Sequence, residues 1–262
     1  MLLRYAQAES ENQSVTRPGF IRLSAAAFST IVGMGSSILV ARTLGPSAFG
    51  IYTFVLWLAT VSVPVIGIGM STVTSRHIAE IQQHQQPRMA AGIFRFVWNR
   101  QSRSMLVYCG VYMLLVLPLS WWFGANTPMF AVLLAGVGAL PLLLSGVVGV
   151  TLRGLRRFDL LATIHLFSAV TGLFLITLAA QVPVATGEQS IHIGLFLLAS
   201  ALAGTFALMV GVTCVMRLLP VRDAEKPHGM VIDRLTRGLS NSLPLFLLDA
   251  IVWQRSEVLL LG

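Results

Sequence analysis

The chain has 262 residues, 55% of them apolar and only 11% charged, with a mean hydropathy of +0.79 and a formal net charge of +8. A soluble globular domain carries about a quarter charged residues, so this composition excludes an ordinary soluble enzyme or binding module. The apolar residues also gather in blocks long enough to cross a bilayer, which takes roughly 20 residues of helix.

The first 19 residues are polar and mixed in charge, so the apolar block behind them reads as a retained first span and not as a cleaved signal sequence. Seven blocks follow in order, at 20–44, 48–70, 104–124, 128–150, 160–181, 191–219 and 239–262. Inside hydrocarbon each backbone N–H and C=O must be satisfied within its own segment, so these blocks predict helices. Barrel strands would alternate polar and apolar residues, and these blocks do not. The expectation is an all-α integral membrane protein of about seven transmembrane helices.

The charge is confined to alternate connections. Arg4, Arg17 and Arg22 lie in or beside the N-terminal tail, and Arg76, Arg88, Arg95, Arg100 and Arg103 lie between the second and third blocks. Arg153, Arg156 and Arg157 occupy the fourth–fifth turn, and Arg217, Arg222, Lys226, Arg234 and Arg237 the sixth–seventh connection. These are 16 of the 18 Lys and Arg. The connections around Pro46, Asn126 and Gly187 are short and nearly uncharged. Such a distribution predicts a cytoplasmic N-terminus in a bacterial inner membrane, with membrane lipids as the partner of the basic loops. Nucleic acid is not an expected partner.

Few features interrupt the helices. The connection over 77–103 mixes Ile, Phe and Trp with Gln and Arg, which predicts an amphipathic interfacial helix broken at Pro87. Pro64, Pro118 and Pro141 fall inside spans, where they can kink them. Ala26, Ser29, Thr30, Gly33 and Ser37 on the first span, and Gly136, Gly138, Gly146 and Gly149 on the fourth, predict close helix packing. Cys109 and Cys214 lie within spans and read as small apolar fillers, with no disulfide.

No motif for catalysis emerges. Gly33-Met34-Gly35 and Gly67-Ile68-Gly69 lie in membrane helices with no strand before them, so they are not nucleotide loops. The five histidines have no metal-ligand spacing, and no metal site or cofactor is expected. Ionisable residues at membrane depth are the informative ones, because they are costly in lipid and usually face a cavity. Asp249, Arg255 and Glu257 belong to the last block, with Asp249 about 15 Å from its start. Ser242, Asp249 and Ser256 share one face there, with Glu257 close to it and Arg255 pointing elsewhere. A self-neutralising ion pair is the alternative to a cavity wall. His165, in the fifth block near the inner surface, reads as a snorkelling side chain. Arg42 and Arg76 close the first and second blocks as interfacial anchors.

The stretch LVARTLGPSAFGIYTFVLWLATVSVPVIGIGMSTVTSRHIAE over 39–80 resembles the opening of bacterial polysaccharide flippases of the O-antigen and capsule type. These belong to the multidrug/oligosaccharidyl-lipid/polysaccharide exporter (MOP) superfamily. LRGLRRFD over 152–159, and NSLPLFL and RSEVLLLG near the end, support the resemblance, which covers 20–262. Family members have two lobes of helices around a central cavity. The resemblance implies a cytoplasmic tail over 1–19, a six-helix N-terminal lobe over 20–219, an inter-lobe linker over 220–238 and the first helix of a second lobe over 239–262.

It further implies translocation, by alternating access, of an undecaprenyl-pyrophosphate-linked oligosaccharide for surface polysaccharide biosynthesis. The pyrophosphate calls for a cationic cavity. Arg42 and Arg76 are candidates from the matching motif, and Asp249, Arg255 and Glu257 from depth. An H+ or Na+ gradient is the expected drive, with Asp249 or Glu257 as coupling site. Expected partners are a C-terminal lobe or a second copy, and the polysaccharide polymerase machinery. A cation-coupled multidrug exporter of the same superfamily and a non-transporting truncated remnant are the alternatives; a membrane-embedded transferase lacks a visible acid, base or metal site.

Overall fold

The computed structural model describes residues 2–67, 70–122, 129–183 and 189–225, together with 229 and 232–233. Among them the chain is helical throughout: α1 (Leu2–Gly67), α2 (Met70–Gln83), α3 (Pro87–Trp122), α4 (Met129–Gly154), α5 (Phe158–Gln181), α6 (Gln189–Leu218) and a short 3-10 turn at Val221–Asp223. The expected seventh helix lies outside the described residues.

The first two expected spans meet at a single residue. Gly45 has φ 74° and ψ 172°, a backbone state open to glycine and costly for other residues, and it divides α1 into two arms. A straight helix of 66 residues would run about 99 Å, three times the hydrocarbon thickness. The change of direction at Gly45 divides it into arms of about 65 and 33 Å, the second of which matches the hydrocarbon thickness.

The connection over 77–103 is helical on both sides of Pro87. It divides at Pro87, as its sequence predicts, into α2 and the first turns of α3. Pro87 takes the first position of α3, where its missing N–H costs nothing. Beyond it Ala90, Ala91, Ile93, Phe94 and Val97 are buried at helical spacing, so α3 continues into the third span without a break.

Two of the turns share one geometry. At the end of α2, Gln85 N–H donates to Gln82 O (3.1 Å) and Gln86 N–H to Ile81 O (3.4 Å). At the end of α4, Arg156 N–H donates to Arg153 O (3.0 Å) and Arg157 N–H to Leu152 O (2.9 Å). Both are Schellman caps in which a non-glycine residue, Gln85 (φ 53°) or Arg156 (φ 57°), takes the left-handed position. Each satisfies carbonyls that would otherwise be stranded at a helix end.

Helix α4 is the axis of the bundle, packed against α1, α2, α3 and α6. Tyr112 donates to Val132 O (2.8 Å) and Tyr108 to Gly136 O (3.4 Å), so α3 runs antiparallel to α4. One apolar cluster joins Val40, Leu44, Tyr52 and Val55 of α1 to Ala131–Leu143 of α4 and Phe196 of α6. A second joins Ile78, Phe94, Val148, Leu152, Val215 and Leu219. The two lie at opposite ends of the bundle, about 20 Å of helix apart along α4.

The second end is strongly basic. The α2–α3 turn, the α4–α5 turn and the end of α6 converge there, bringing Arg76, Arg88, Arg95, Arg153, Arg156, Arg157, Arg217 and Arg222 together. The charge pattern of the sequence thus becomes a three-dimensional asymmetry.

The outer surface is apolar. Leu23, Ile31 and Met34 on α1, Leu106 and Leu114 on α3, and Phe174 on α5 are all more than 60% exposed. Leu23–Ala59, Met129–Gly154, Phe158–Gln181 and Ser190–Leu218 are each long and apolar enough to cross a membrane. The chain is a multi-pass membrane protein.

A polar side chain sits inside the bundle with one group unsatisfied among the described residues. Gln101 of α3 is 2% exposed, and its amide nitrogen has no hydrogen bond among the described residues. Such a group costs about 1–3 kcal/mol. Gln101→Met, which keeps the volume and removes the amide, is expected to raise the melting temperature of the detergent-solubilised protein. A lowered one would show that the amide has a partner in the working molecule.

Candidate functional site

Among the described residues a cleft of about 240 Å³ opens between α4, α5 and α6. Its origin lies in how α5 packs. After the tight turn that follows Gly154, α5 leaves α4 and packs chiefly on α1 and α6. A gap opens between the two consecutive helices, and Gly204, Ala207 and Leu208 of α6 close its back.

Small residues keep the gap open. A Cβ added at Gly146 would meet no heavy atom within 4 Å, and one at Gly149 only ordinary contacts at 3.7 Å, with Arg153 Nη2 and Leu161 Cδ1. The other fourth-span glycines behave differently. A Cβ at Gly136 would fall 2.3 Å from the Tyr112 ring, and one at Gly138 3.0 Å from Ala201 Cβ. The expectation of close packing holds for Gly136 and Gly138; Gly146 and Gly149 border open space. On the first span, too, nothing stands within 4 Å of a Cβ at Gly33, and Ala26, Thr30 and Ser37 are exposed, so close packing is not what these residues provide among the described residues.

The polar groups of the cleft are Ser145, Arg153, His165 and Ser168. Ser145 donates its hydroxyl to Leu142 O (2.8 Å), which leaves its lone pairs as acceptors for a ligand. Arg153, in the last turn of α4, stands at the basic end of the cleft. Leu142 lies about 16 Å further along the helix. The arrangement is an apolar, glycine-sided trough with a guanidinium at one end and an imidazole on its α5 wall. It can take an elongated molecule carrying negative charge at that end.

The sequence-predicted residues do not gather here. Arg42 is exposed on α1 beside Val40 and Leu44, at the end of the bundle away from the basic turns. Arg76 is on α2 at the basic end, exposed and paired through its Nε to Glu80 Oε1 at 3.4 Å. An exposed i,i+4 pair of this kind contributes about 0.3–0.5 kcal/mol. The two arginines therefore flank opposite ends of the bundle and form no common site. Asp249, Arg255 and Glu257 lie outside the described residues. Arg153 was legible only as part of a basic turn and His165 only as a snorkelling residue. What puts both on one cleft is the short α4–α5 turn followed by the departure of α5 from α4.

No family model matches the chain, and no curated protein sequence matches it. Among solved structures it resembles a MOP superfamily transporter from Pyrococcus furiosus, with a TM-score of 0.58 at 16% identity, over 90% of this chain and 53% of that one. It also resembles the Vibrio cholerae MATE transporter VcmN in its bent form, with a TM-score of 0.58 at 17% identity, over 96% of this chain and 57% of that one. The chain thus spans little more than half the length of either transporter. Its helices have the MOP transporter fold over about half of that fold's extent.

Proposed function

We propose that this chain is the N-terminal lobe of a flippase that carries undecaprenyl-pyrophosphate-linked oligosaccharide across the bacterial cytoplasmic membrane. The observation that supports it most is the cleft, an apolar trough that ends at a guanidinium and carries an imidazole on its α5 wall, within a transporter fold. A sugar head group cannot cross hydrocarbon unaided, because its hydroxyls would lose their hydrogen-bond partners. A diphosphate needs cations and hydrogen-bond donors, and Arg153 and His165 both line the cleft.

In this reading the basic end faces the cytoplasm, in accord with the positive-inside pattern. Arg153 and His165 receive the diphosphate there, and Arg42 meets it at the outer end after a rocking change of access. Arg76 orients the basic end through its pair with Glu80. The linker over 220–238 and the helix over 239–262 lead into a second lobe, which or a second copy closes the cavity. Asp249, Arg255 and Glu257 line that cavity, and an H+ or Na+ gradient acts through Asp249 or Glu257. The polysaccharide polymerase machinery receives the product.

The fold is equally that of drug-exporting members of the superfamily, so export of a cationic compound is a second reading. The charge of the cleft argues against it, since a cation would meet Arg153 at the mouth. The expected result for Arg153→Ala is a loss of export of about tenfold or more, the worth of one charge-assisted hydrogen bond. Arg42→Ala is expected to act in the same direction. Wild-type export at normal protein level in both variants would remove the arginines from the transport path.

A further inference from the structure

A second opening lies at the basic end and belongs to neither the cleft nor the family motif. It is a groove of about 1020 Å³ between the first turns of α3, the last turns of α6 and the Val221–Asp223 turn. Phe94, Trp98 and Met216 form its apolar wall, with the Phe94 and Trp98 rings 5.7 Å apart between centroids. Arg95 and Arg222 stand at its rim, and Asp223 lies beside them. Neither guanidinium has an ion-pair partner among the described residues.

The strap that borders the groove is held in place. After Pro220, Val221 N–H donates to Leu219 O (2.8 Å) and Asp223 N–H to Pro220 O (3.1 Å). Glu225 N–H then donates to Arg88 O (3.2 Å), tying the strap to the first turn of α3. The groove is thus a built edge of the bundle. The helices α4 and α6, each long and apolar enough to cross a membrane, end at Gly154 and Leu218, beside it, and the end of an apolar span is the depth of the head groups.

We propose that this groove seats an anionic glycerophospholipid from the leaflet at the basic end. Its phosphate lies between Arg95 and Arg222, and one acyl chain runs along Phe94, Trp98 and Met216. The charge complementarity supports this occupant: two guanidinia with no ion pair among the described residues, against one carboxylate, leave a net positive rim with an apolar wall leading away from it. Arg and Trp at this depth are the residue types that hold head groups. Asp223 opposes the lipid charge and tunes its hold. The inference stands independently of the proposed transport activity.

Native mass spectrometry of the purified full chain, released from micelles holding equal amounts of phosphatidylglycerol and phosphatidylcholine with the same acyl chains, tests it. Phosphatidylglycerol should dominate the retained lipid. Arg95→Ala combined with Arg222→Ala should lower its retention about tenfold or more. Arg103→Ala, outside the groove, should leave retention unchanged, and Asp223→Asn should raise it. Met216→Trp, which fills the groove without altering charge, should also displace the lipid, so a poorly folded double variant would not leave the question open. Equal retention of the two lipids, or wild-type phosphatidylglycerol retention in both the double variant and Met216→Trp, would overturn the proposal.

Discussion

Gly146→Leu is expected to abolish transport while leaving the protein folded and abundant. The position borders the cleft, and an added Cβ there meets no heavy atom within 4 Å. The larger side chain therefore grows into the cleft of about 240 Å³ and not into a neighbouring helix. Leucine also favours helix over glycine by about 1 kcal/mol, so the folded state loses nothing locally. A filled trough excludes the substrate, and export should fall by about tenfold or more, as for a lost binding determinant of about 1.4 kcal/mol. Gly146→Ala, which adds one carbon to open space, should transport nearly as wild type. Export assayed at matched membrane levels of the three proteins checks this. Full export by the leucine variant would mean that the cleft is not on the path.

Gly136→Ala is expected to have the opposite profile, with stability lost first. Its Cβ would lie 2.3–2.8 Å from three atoms of the Tyr112 ring. That ring has nowhere to go, because Tyr112 is 3% exposed and its hydroxyl is tied to Val132 O at 2.8 Å. Overpacking costs about 1–3 kcal/mol, and losing the hydrogen bond adds about 1 kcal/mol. A total of roughly 2–4 kcal/mol should appear as a clear drop in melting temperature in detergent. Gly138→Ala, with its 3.0 Å approach to Ala201 Cβ, should cost less. Melting curves in the order wild type, Gly138→Ala, Gly136→Ala check the ranking; a Gly136→Ala protein as stable as wild type would show that α3 and α4 are not locked at this level.

The spans were legible because lipid imposes a length and a polarity that few soluble sequences reach, and α4, α5 and α6 fall within a few residues of their expected blocks. The first connection was visible at Pro46 but not its form, since a single residue, Gly45, carries the whole break. The extent of α3 was hidden by Arg95, Arg100 and Arg103, whose charge lowers the local hydropathy. The buried stripe from Ala90 to Val97 carried the correct signal at helical spacing.

The cleft was not legible, and the reason is geometric. Glycines at 136, 138, 146 and 149 look alike in sequence, yet two face neighbouring helices and two face a gap. What separates them is the departure of α5 from α4 toward α1 and α6, a tertiary choice with no local sequence mark. Motif resemblance likewise pointed to Arg42 and Arg76, which share one short stretch of chain but lie at opposite ends of the bundle. Proximity in sequence across a helix of this length says little about proximity in space.

The most direct test of the transport reading is the amount of undecaprenyl-linked oligosaccharide on the cytoplasmic leaflet of cells from which the gene has been deleted. The account predicts accumulation there, with surface polysaccharide lost and sensitivity to cationic drugs unchanged. No accumulation, with surface polysaccharide intact, would contradict it.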